Sequence, residues 1–297
     1  MCNNTGNMTV EHTFDRAVGA VGDFLVEQAY RNVQVRGGEN RRALLNVLEN
    51  KVGGAIVVSN HLSFFDQGLI IRDLVGEVNW LGSVRIGWVM NEGLRSFEKY
   101  GVKASMVRDM ERRGGIEMLE VDTSGATTRG VRKMLSVSRD ILGGNGVVFI
   151  SPEGGRQKSL ALGDIHRGGV GAMLPHAKYI FPLAIMGTEK IHNPNDPVSF
   201  TKIRLGEDSV MDYRSPIVVS EHTEKVCQYL SRPSGEKVRP RDTRGLVADI
   251  AFLRIAQGVG DGYLGVWRDA VDHFDNTIGD LVEREIRAVQ SFRGGRD

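Results

Sequence analysis

The sequence predicts an α/β protein: a mixed, largely parallel central sheet flanked by helices, with an N-terminal helix and a C-terminal helical extension. Apolar runs of strand length at Ala55–Ser59, Gly146–Ser151 and Tyr179–Met186 alternate with segments whose apolar residues recur every three to four positions. The 37 glycines in 297 residues exceed the usual ~7% and are scattered, which is typical of many turns between short elements.

This pattern divides the chain into three segments. Residues 1–32 form an amphipathic helix, because Phe14, Val18, Val21, Leu25 and Ala29 share one face. Residues 33–230 form the α/β domain, and residues 231–297 form a basic loop and C-terminal helices packed on that domain. We expect the N-terminal helix to pack on the domain as well; the alternative is that it lies on a membrane surface.

The elements follow in chain order. A short strand at Val33 and Val35 precedes the turn at Gly37. Further helices are predicted at Ala43–Asn50, Asp66–Val75, Thr127–Leu142, Leu246–Ala256 and Tyr263–Phe292. Short strands are predicted at Val78–Leu81, Arg85–Met90 and Lys103–Val107. The stretch Asp109–Ala126 has few large apolar groups, which favours an exposed excursion.

Composition excludes several classes of function. Lys and Arg number 38 against 37 Asp and Glu, so no net field favours nucleic acid, and we expect no such partner. Two cysteines indicate a reducing compartment. No secretory signal and no run of ~20 apolar residues is present, so we expect a cytoplasmic protein with any membrane contact peripheral. The basic segment Ser231–Arg244 is either a solvated loop or a patch for anionic headgroups.

The segment Ser59–Asp66 lies where a buried strand ends and a helix begins, the usual ligand position in open α/β sheets. His61 and Asp66 are five residues apart across a turn, so the carboxylate can bond one ring nitrogen. The other nitrogen is then free to take a proton from a hydroxyl. No G-x-S-x-G nucleophile motif occurs, which favours direct attack of that hydroxyl on a carbonyl. Taken alone, the spacing fits a structural or helix-capping histidine equally well.

A second strand runs into the Gly-rich turn Pro152–Arg156. Glycines there expose backbone N–H groups, and the Arg156 guanidinium matches phosphate oxygens; the alternative is a plain turn with an exposed Arg–Glu pair. The predicted strand Lys103–Val107 would place Arg108 at the same end of the sheet. The run Ile180–Ile185 is either core or the lining of an acyl site.

The order and spacing of these four elements resemble the glycerolipid acyltransferase family, the glycerol-3-phosphate and 1-acylglycerol-3-phosphate acyltransferases. Asn60, His61, Ser63 and Asp66 match its N-H-x4-D block. Arg108 matches its G…R block; Pro152, Glu153, Gly154 and Arg156 match its P-E-G block; Pro182 matches its V-P-V block. The resemblance covers roughly residues 33–188. Gly155 stands where most members have Thr, and resembles the Gly-Gly-Arg of soluble plastid members.

The resemblance implies an enzyme of phospholipid biosynthesis that transfers a fatty acyl group without a covalent intermediate. His61 would be the general base and Asp66 its orienting carboxylate. Substrate-binding residues would be Asn60, Ser63, Arg108, Glu153, Gly154, Gly155 and Arg156. The donor would be an acyl-CoA or acyl carrier protein thioester, the acceptor glycerol 3-phosphate or a lysophospholipid. No metal and no further cofactor is implied.

Two other interpretations remain open. A thioester or ester hydrolase would use His61 to activate water, and a catalytically silent lipid-binding protein would keep the fold without the reaction. A metal hydrolase using His61, Asp66, His166 and His176 has little support, because these residues form no close HxxxH or HxH set.

Overall fold

A computed structural model describes residues 20–21, 24–63, 65–75, 84–91, 116–121, 128–196, 202–231, 238–275 and 280–294. The strands of this part of the chain are β1 (Val33–Arg36), β2 (Ala55–Ser59), β3 (Ile86–Asn91), β4 (Ile116–Val121), β5 (Val147–Ile150), β6 (Tyr179–Met186), β7 (Ser209–Tyr213) and β8 (Ile217–Val218). The helices are α1 (Gly38–Glu49), α2 (Asp66–Val75), α3 (Thr128–Gly143), α4 (Arg167–Met173), α5 (Thr188–Ile191), α6 (Val219–Ser231), α7 (Pro240–Ala256), α8 (Arg268–Asp272) and α9 (Leu281–Gly294). Residues 24–30 are also helical.

The eight strands form one sheet in the order β1-β7-β6-β2-β5-β3-β4, with β8 paired to β6. Strand β6 is antiparallel to β7 and β8, and every other neighbouring pair is parallel. The predicted fold class, a mixed and largely parallel sheet in an α/β protein, is therefore confirmed.

The central strands are buried on both faces. In β2, Ile56 and Val58 belong to one hydrophobic core, while Ala55 and Val57 belong to the core on the opposite face. Because both faces are covered, such a strand is a continuous apolar run rather than an alternating one. This is why the sequence alone identifies β2, β5 and β6.

Different parts of the chain supply the two cores. The first core includes the apolar residues of α7 from Leu246 to Ala256, all of them buried, together with Trp267 and Phe292. The second core contains side chains from α1 and α2, and Leu25, Val26 and Ala29 of the segment 24–30 pack against it or lie within it. The C-terminal helix α7 therefore covers one face of the sheet, and the segment 24–30 packs on the other core.

The excursion predicted at Asp109–Ala126 is wrong for the part that the structure describes. Ile116–Val121 is strand β4, which pairs in parallel with β3, and its Ile116 and Leu119 are buried. β4 ends the row of strands, and an edge strand needs fewer apolar residues than a central one. The predicted strands Val78–Leu81 and Lys103–Val107 lie outside the described residues.

Two predictions for the C-terminal part are also wrong. The chain from Tyr263 to Phe292 is not one helix: α8 ends at Asp272, and α9 begins at Leu281. The Asp280 carboxylate accepts hydrogen bonds from the N–H groups of Val282 and Glu283, so it caps a new helix start. The segment Ser231–Arg244 is not entirely loop, because α7 begins at Pro240.

The topology brings three loops together at one edge of the sheet. Strands β6, β2 and β5 are adjacent and parallel, so the loops that follow them meet at the same edge. The described residues of these loops are 60–63 and 65 after β2, 151–166 after β5 and 187–196 after β6. In open α/β sheets ligands bind at this edge.

Candidate active site

His61 and Asp66 are in contact at the carboxyl end of β2. His61 Nδ1 lies 2.9 Å from Asp66 Oδ2; the His61 side chain is 16% exposed and that of Asp66 is 2% exposed. The same carboxylate oxygen accepts hydrogen bonds from the backbone N–H groups of Leu62 at 2.8 Å and Ser63 at 2.9 Å. Because an ionised carboxylate only accepts hydrogen bonds, Nδ1 carries the proton, and Nε2 is the basic atom.

Local capping chemistry explains why this turn forms. Asp66 is the first residue of α2, and its carboxylate accepts a hydrogen bond from the backbone N–H of Ser63, three residues earlier. The Ser63 hydroxyl accepts a hydrogen bond from the N–H of Phe65. A carboxylate at a helix N-terminus is also favoured by the helix dipole. The helix start therefore fixes the carboxylate that orients His61.

The backbone of His61 is held from both sides by the loop after β5. Its N–H donates to Glu153 Oε2 at 2.9 Å, and its carbonyl accepts from the N–H of Gln157 at 2.9 Å. Glu153 Oε1 accepts a further bond from the N–H of Gly163 at 2.8 Å. Glu153 thus joins two loops through both carboxyl oxygens, and its side chain fixes the backbone position of His61.

Burial dominates the electrostatics of Glu153, which is 7% exposed. Loss of hydration and, to a smaller extent, the negative charge of Asp66 together raise the pKa of its carboxyl to about 8. The two backbone donors oppose this rise in pKa. The carboxyl therefore binds a proton near neutral pH while keeping its place between His61 and Gly163.

The glycines of the same turn have separate roles. Gly154 has φ +75°, and a Cβ there would lie 2.9 Å from His166 Cδ2. A side chain at Gly154 would therefore be strained and would collide with the imidazole. Gly155 is exposed and has open space at its Cβ position, and Arg156 follows it, half-buried. The turn therefore leaves open space at Gly155, and Gln157, two residues further on, bonds to the His61 loop.

Two predicted binding residues are buried beneath the site. The Asn60 amide donates to the Ile185 carbonyl at 2.8 Å and accepts from the Ile185 N–H at 2.8 Å, which extends the pairing of β2 with β6. Ser63 donates to the carbonyl of His192 at 3.3 Å. In this structure both side chains bond to backbone groups of β6 or of the segment that follows it. Direct contact of either side chain with substrate stays a prediction.

The structure brings the predicted residues Asn60, His61, Ser63, Asp66 and the turn 153–156 to one edge of the sheet. Arg108 lies outside the described residues. Within the described part of the chain, no group of three or more His, Cys, Asp or Glu side chains is placed to hold a metal ion. Among those same residues, no helix has the length and apolar character needed to cross a bilayer.

Sequence reasoning missed three residues of this edge. The Gln67 side-chain nitrogen lies 3.4 Å from His61 Nε2, the ring nitrogen that does not contact Asp66. Glu189, just after β6, accepts a hydrogen bond from the Tyr263 hydroxyl at 2.7 Å. Glu189 could have been found in the same way as His61 and Glu153, because each is a polar residue shortly after a buried strand. The position of Tyr263 could not, because it depends on the tertiary fold.

Comparison with solved structures adds a structural likeness. The chain is similar to the crystal structure of the 1-acyl-sn-glycerophosphate (LPA) acyltransferase PlsC from Thermotoga maritima, with 17% sequence identity and a TM-score of 0.46. The match covers 79% of this chain and 85% of that chain. No family model and no curated protein matches the chain. The function proposed below therefore depends on the side chains of this chain and not on that likeness.

Proposed function

We propose that this chain is an O-acyltransferase that moves a fatty acyl group from an acyl-CoA or acyl carrier protein thioester to a hydroxyl of glycerol 3-phosphate or 1-acylglycerol 3-phosphate. The contact between His61 Nδ1 and Asp66 Oδ2 at the carboxyl edge of the sheet carries this proposal. It is supported by the Gly-rich turn with Arg156, which is bonded to the backbone of the same histidine through Glu153 and Gln157.

In the proposed reaction His61 Nε2 removes the proton from the acceptor hydroxyl while its oxygen attacks the thioester carbonyl. The carbon–sulfur bond breaks, and the leaving thiolate takes the proton back from the imidazolium. Asp66 keeps Nδ1 protonated and stabilises the imidazolium, as a carboxylate does in a Ser-His-Asp triad. The products are an ester and a free thiol, and the thioester is the only co-substrate that this step requires.

Binding of the acceptor phosphate is assigned to arginines. Arg156 is positioned in the turn after β5, and a guanidinium can hold phosphate through two parallel hydrogen bonds. Arg108 is proposed as its partner on the ground of the motif order in the sequence. Removal of either guanidinium should raise the KM for a phosphorylated acceptor more than it lowers kcat.

The test measures thiol release from a long-chain acyl-CoA and from an acyl carrier protein thioester, with and without each acceptor, together with the lipid products. A transferase releases thiol only when an acceptor is present and forms the acylated acceptor in equal amount. Equal release with and without acceptor, with free fatty acid as product, would instead establish a hydrolase. No release from either donor would contradict both and leave a binding protein of this fold.

A further inference from the structure

The side chain of Gln67 faces the basic nitrogen of His61. Gln67 is the second residue of α2 and directly follows Asp66. Its side-chain nitrogen lies 3.4 Å from His61 Nε2. The His61 side chain is 16% exposed and Gln67 is half-buried, so the pair is not closed off from solvent.

The direction of the Gln67 amide follows from the protonation of His61. Because Asp66 keeps the proton on Nδ1, Nε2 has a lone pair and no proton. A glutamine side chain has an N–H₂ group that donates hydrogen bonds and a carbonyl oxygen that only accepts them. Only the N–H₂ group can bond to the unprotonated Nε2, so Gln67 is a hydrogen-bond donor at this place.

The contact between the two side chains is long enough to be exchanged for a substrate. Hydrogen bonds from N–H donors are usually about 2.7–3.2 Å long, and the 3.4 Å contact of Gln67 with Nε2 exceeds this range. Two nitrogen atoms that share one oxygen at such distances are at most about 6 Å apart. A hydroxyl oxygen bound to Nε2 is therefore within reach of the Gln67 amide as well.

The helix that carries Gln67 is held in place by its neighbours. A Cβ at Gly68 would lie 2.8 Å from Val26 Cγ2, so the first turn of α2 packs closely on the segment 24–30. Further along α2, the Asp73 carboxylate accepts from Arg41 at 2.8 Å and from the Tyr213 hydroxyl at 2.6 Å. The backbone of Gln67 is therefore fixed relative to His61, and the side-chain amide alone adjusts.

A hydroxyl group complements the pair of His61 and Gln67. A hydroxyl both donates and accepts hydrogen bonds, so it can donate to Nε2 and accept from the Gln67 amide at the same time. An ammonium group, the form of an alkyl amine near neutral pH, has no lone pair and could not accept from Gln67. The pair therefore favours a hydroxyl over an amine.

We propose that the Gln67 amide donates a hydrogen bond to the acceptor oxygen whose proton His61 Nε2 removes. Gln67 is then a further catalytic residue, which holds the attacking oxygen by one lone pair and leaves the other free for the thioester carbonyl. It forms and breaks no covalent bond. This inference rests on the proposed transferase function and adds to it the residue that selects a hydroxyl acceptor.

Gln67→Met tests the hydrogen bond, because methionine has a similar length and no N–H group. With saturating thioester, the KM for the acceptor should rise about 3- to 10-fold, as expected for the loss of one neutral hydrogen bond. The bond is made before and during attack, so kcat should stay within about twofold. Gln290→Met, at an exposed position of α9, is the matched control and should behave as the wild type.

A folded Gln67→Met with an unchanged KM for the acceptor would overturn the proposal. A lower kcat with unchanged KM would overturn it too, since the amide would then act on the thioester carbonyl and not on the attacking oxygen. An acceptor analogue with hydrogen in place of the attacked hydroxyl should inhibit the wild type and Gln67→Met equally. Weaker inhibition of Gln67→Met would show a general distortion of the site and would also contradict the proposal.

Nuclear magnetic resonance without a thioester separates this inference from the transferase function. In protein labelled with ¹⁵N at histidine, at alkaline pH, His61→Ala identifies the His61 Nε2 resonance, and Gln67→Met should shift it. Glycerol 3-phosphate or 1-acylglycerol 3-phosphate should shift it in the wild type, with half-saturation at an about 3- to 10-fold higher concentration in Gln67→Met. Equal half-saturation, or no shift by either acceptor, would overturn the role of Gln67. The predicted shifts without acyl transfer by the wild type would overturn the transferase function alone.

Discussion

At the scale of single residues, the carboxylate of Asp66 has two roles at once. One of its oxygens accepts hydrogen bonds from two backbone N–H groups at the start of α2 and also contacts His61 Nδ1. The backbone bonds fix the carboxylate whether or not substrate is present, so His61 is oriented before the reaction begins. Catalysis benefits from such preorganisation, because the geometry need not be established in the transition state.

Replacement of Asp66 by asparagine tests this orientation. In Asp66→Asn the amide oxygen takes the place of Oδ2, because the N–H groups of Leu62 and Ser63 require an acceptor there, and the negative charge that holds and stabilises the protonated ring of His61 is lost. In a Ser-His-Asp protease the same change lowers kcat by about 10⁴; we expect a loss of at least about 10² here. The measurement is kcat for acyl transfer, with exposed Asp140→Asn as the control, and an Asp66→Asn protein of nearly full kcat would refute the orienting role.

The raised pKa of Glu153 predicts a dependence of stability on pH. Its pKa is about 8 in the folded protein and near 4.5 when unfolded, so the folded state binds the extra proton between these values. The stabilising contribution is complete below pH 4.5 and is lost as the pH rises through 8. Between pH 6 and 9 the free energy of unfolding of the wild type should fall relative to that of Glu153→Gln by about 2–3 kcal/mol.

Urea unfolding at several pH values measures this difference. Glu153→Gln also loses one backbone acceptor, so its stability is lower by a constant amount, and only the change with pH tests the pKa. Parallel curves for the two proteins from pH 6 to 9 would show that burial does not raise the pKa of Glu153.

The contact between His61 and Asp66 could be predicted from the sequence because it is local, five residues apart across a turn. The place of Asn60 could not, since its amide completes the pairing with Ile185, 125 residues further along the chain. The bond from Tyr263 to Glu189 is likewise non-local. The sequence therefore predicted the contact between His61 and Asp66, but not the non-local hydrogen bonds around it.

At the scale of elements, a buried ion pair joins the C-terminal helices to the sheet. Arg254 of α7 donates to both oxygens of Glu285 in α9, and to the carbonyls of Ser215 and Pro216. Its remaining donor is directed at His222 Nε2 in α6, at 3.1 Å. Burial, and next the charge of Arg254, lower the pKa of His222 to about 4, so the imidazole stays neutral and can accept this bond.

Arg254→Met should destabilise the protein by about 3–5 kcal/mol, because Glu285 would be left buried without its partner. The double variant Arg254→Met, Glu285→Leu should recover most of this loss, since no uncompensated charge remains. Denaturant unfolding gives the values, and exposed Arg287→Met serves as a control with little expected effect. A single variant as stable as the wild type would show that this network contributes little.

Helices and strands with a strong local sequence pattern were predicted well. Those whose position depends on contacts with distant parts of the chain were not. The runs of β2, β5 and β6 are apolar throughout because helices cover both faces. Strand β4 has only Ile116 and Leu119 buried, three residues apart, which is not the alternation expected of a strand. The break before α9 depends on Asp280, whose capping role is visible only once the helix start is known.

At the scale of the whole molecule, the parallel arrangement of β6, β2 and β5 gathers residues from distant parts of the chain. His61, Glu153 and Glu189 each follow one of these strands, and Tyr263 arrives from the loop after α7. The fold class could be predicted from the alternation of strands and helices, but the order of the strands could not, because it depends on contacts far apart in sequence.

The central claim is that His61 is the base that activates an acceptor hydroxyl. Its most direct test is acceptor-dependent thiol release by His61→Ala beside the wild type and His176→Ala, a change at an exposed histidine away from this edge. We predict a loss of at least about 10² in kcat for His61→Ala alone, with its fold retained. Acceptor-dependent release at nearly the wild-type rate in His61→Ala would contradict the claim.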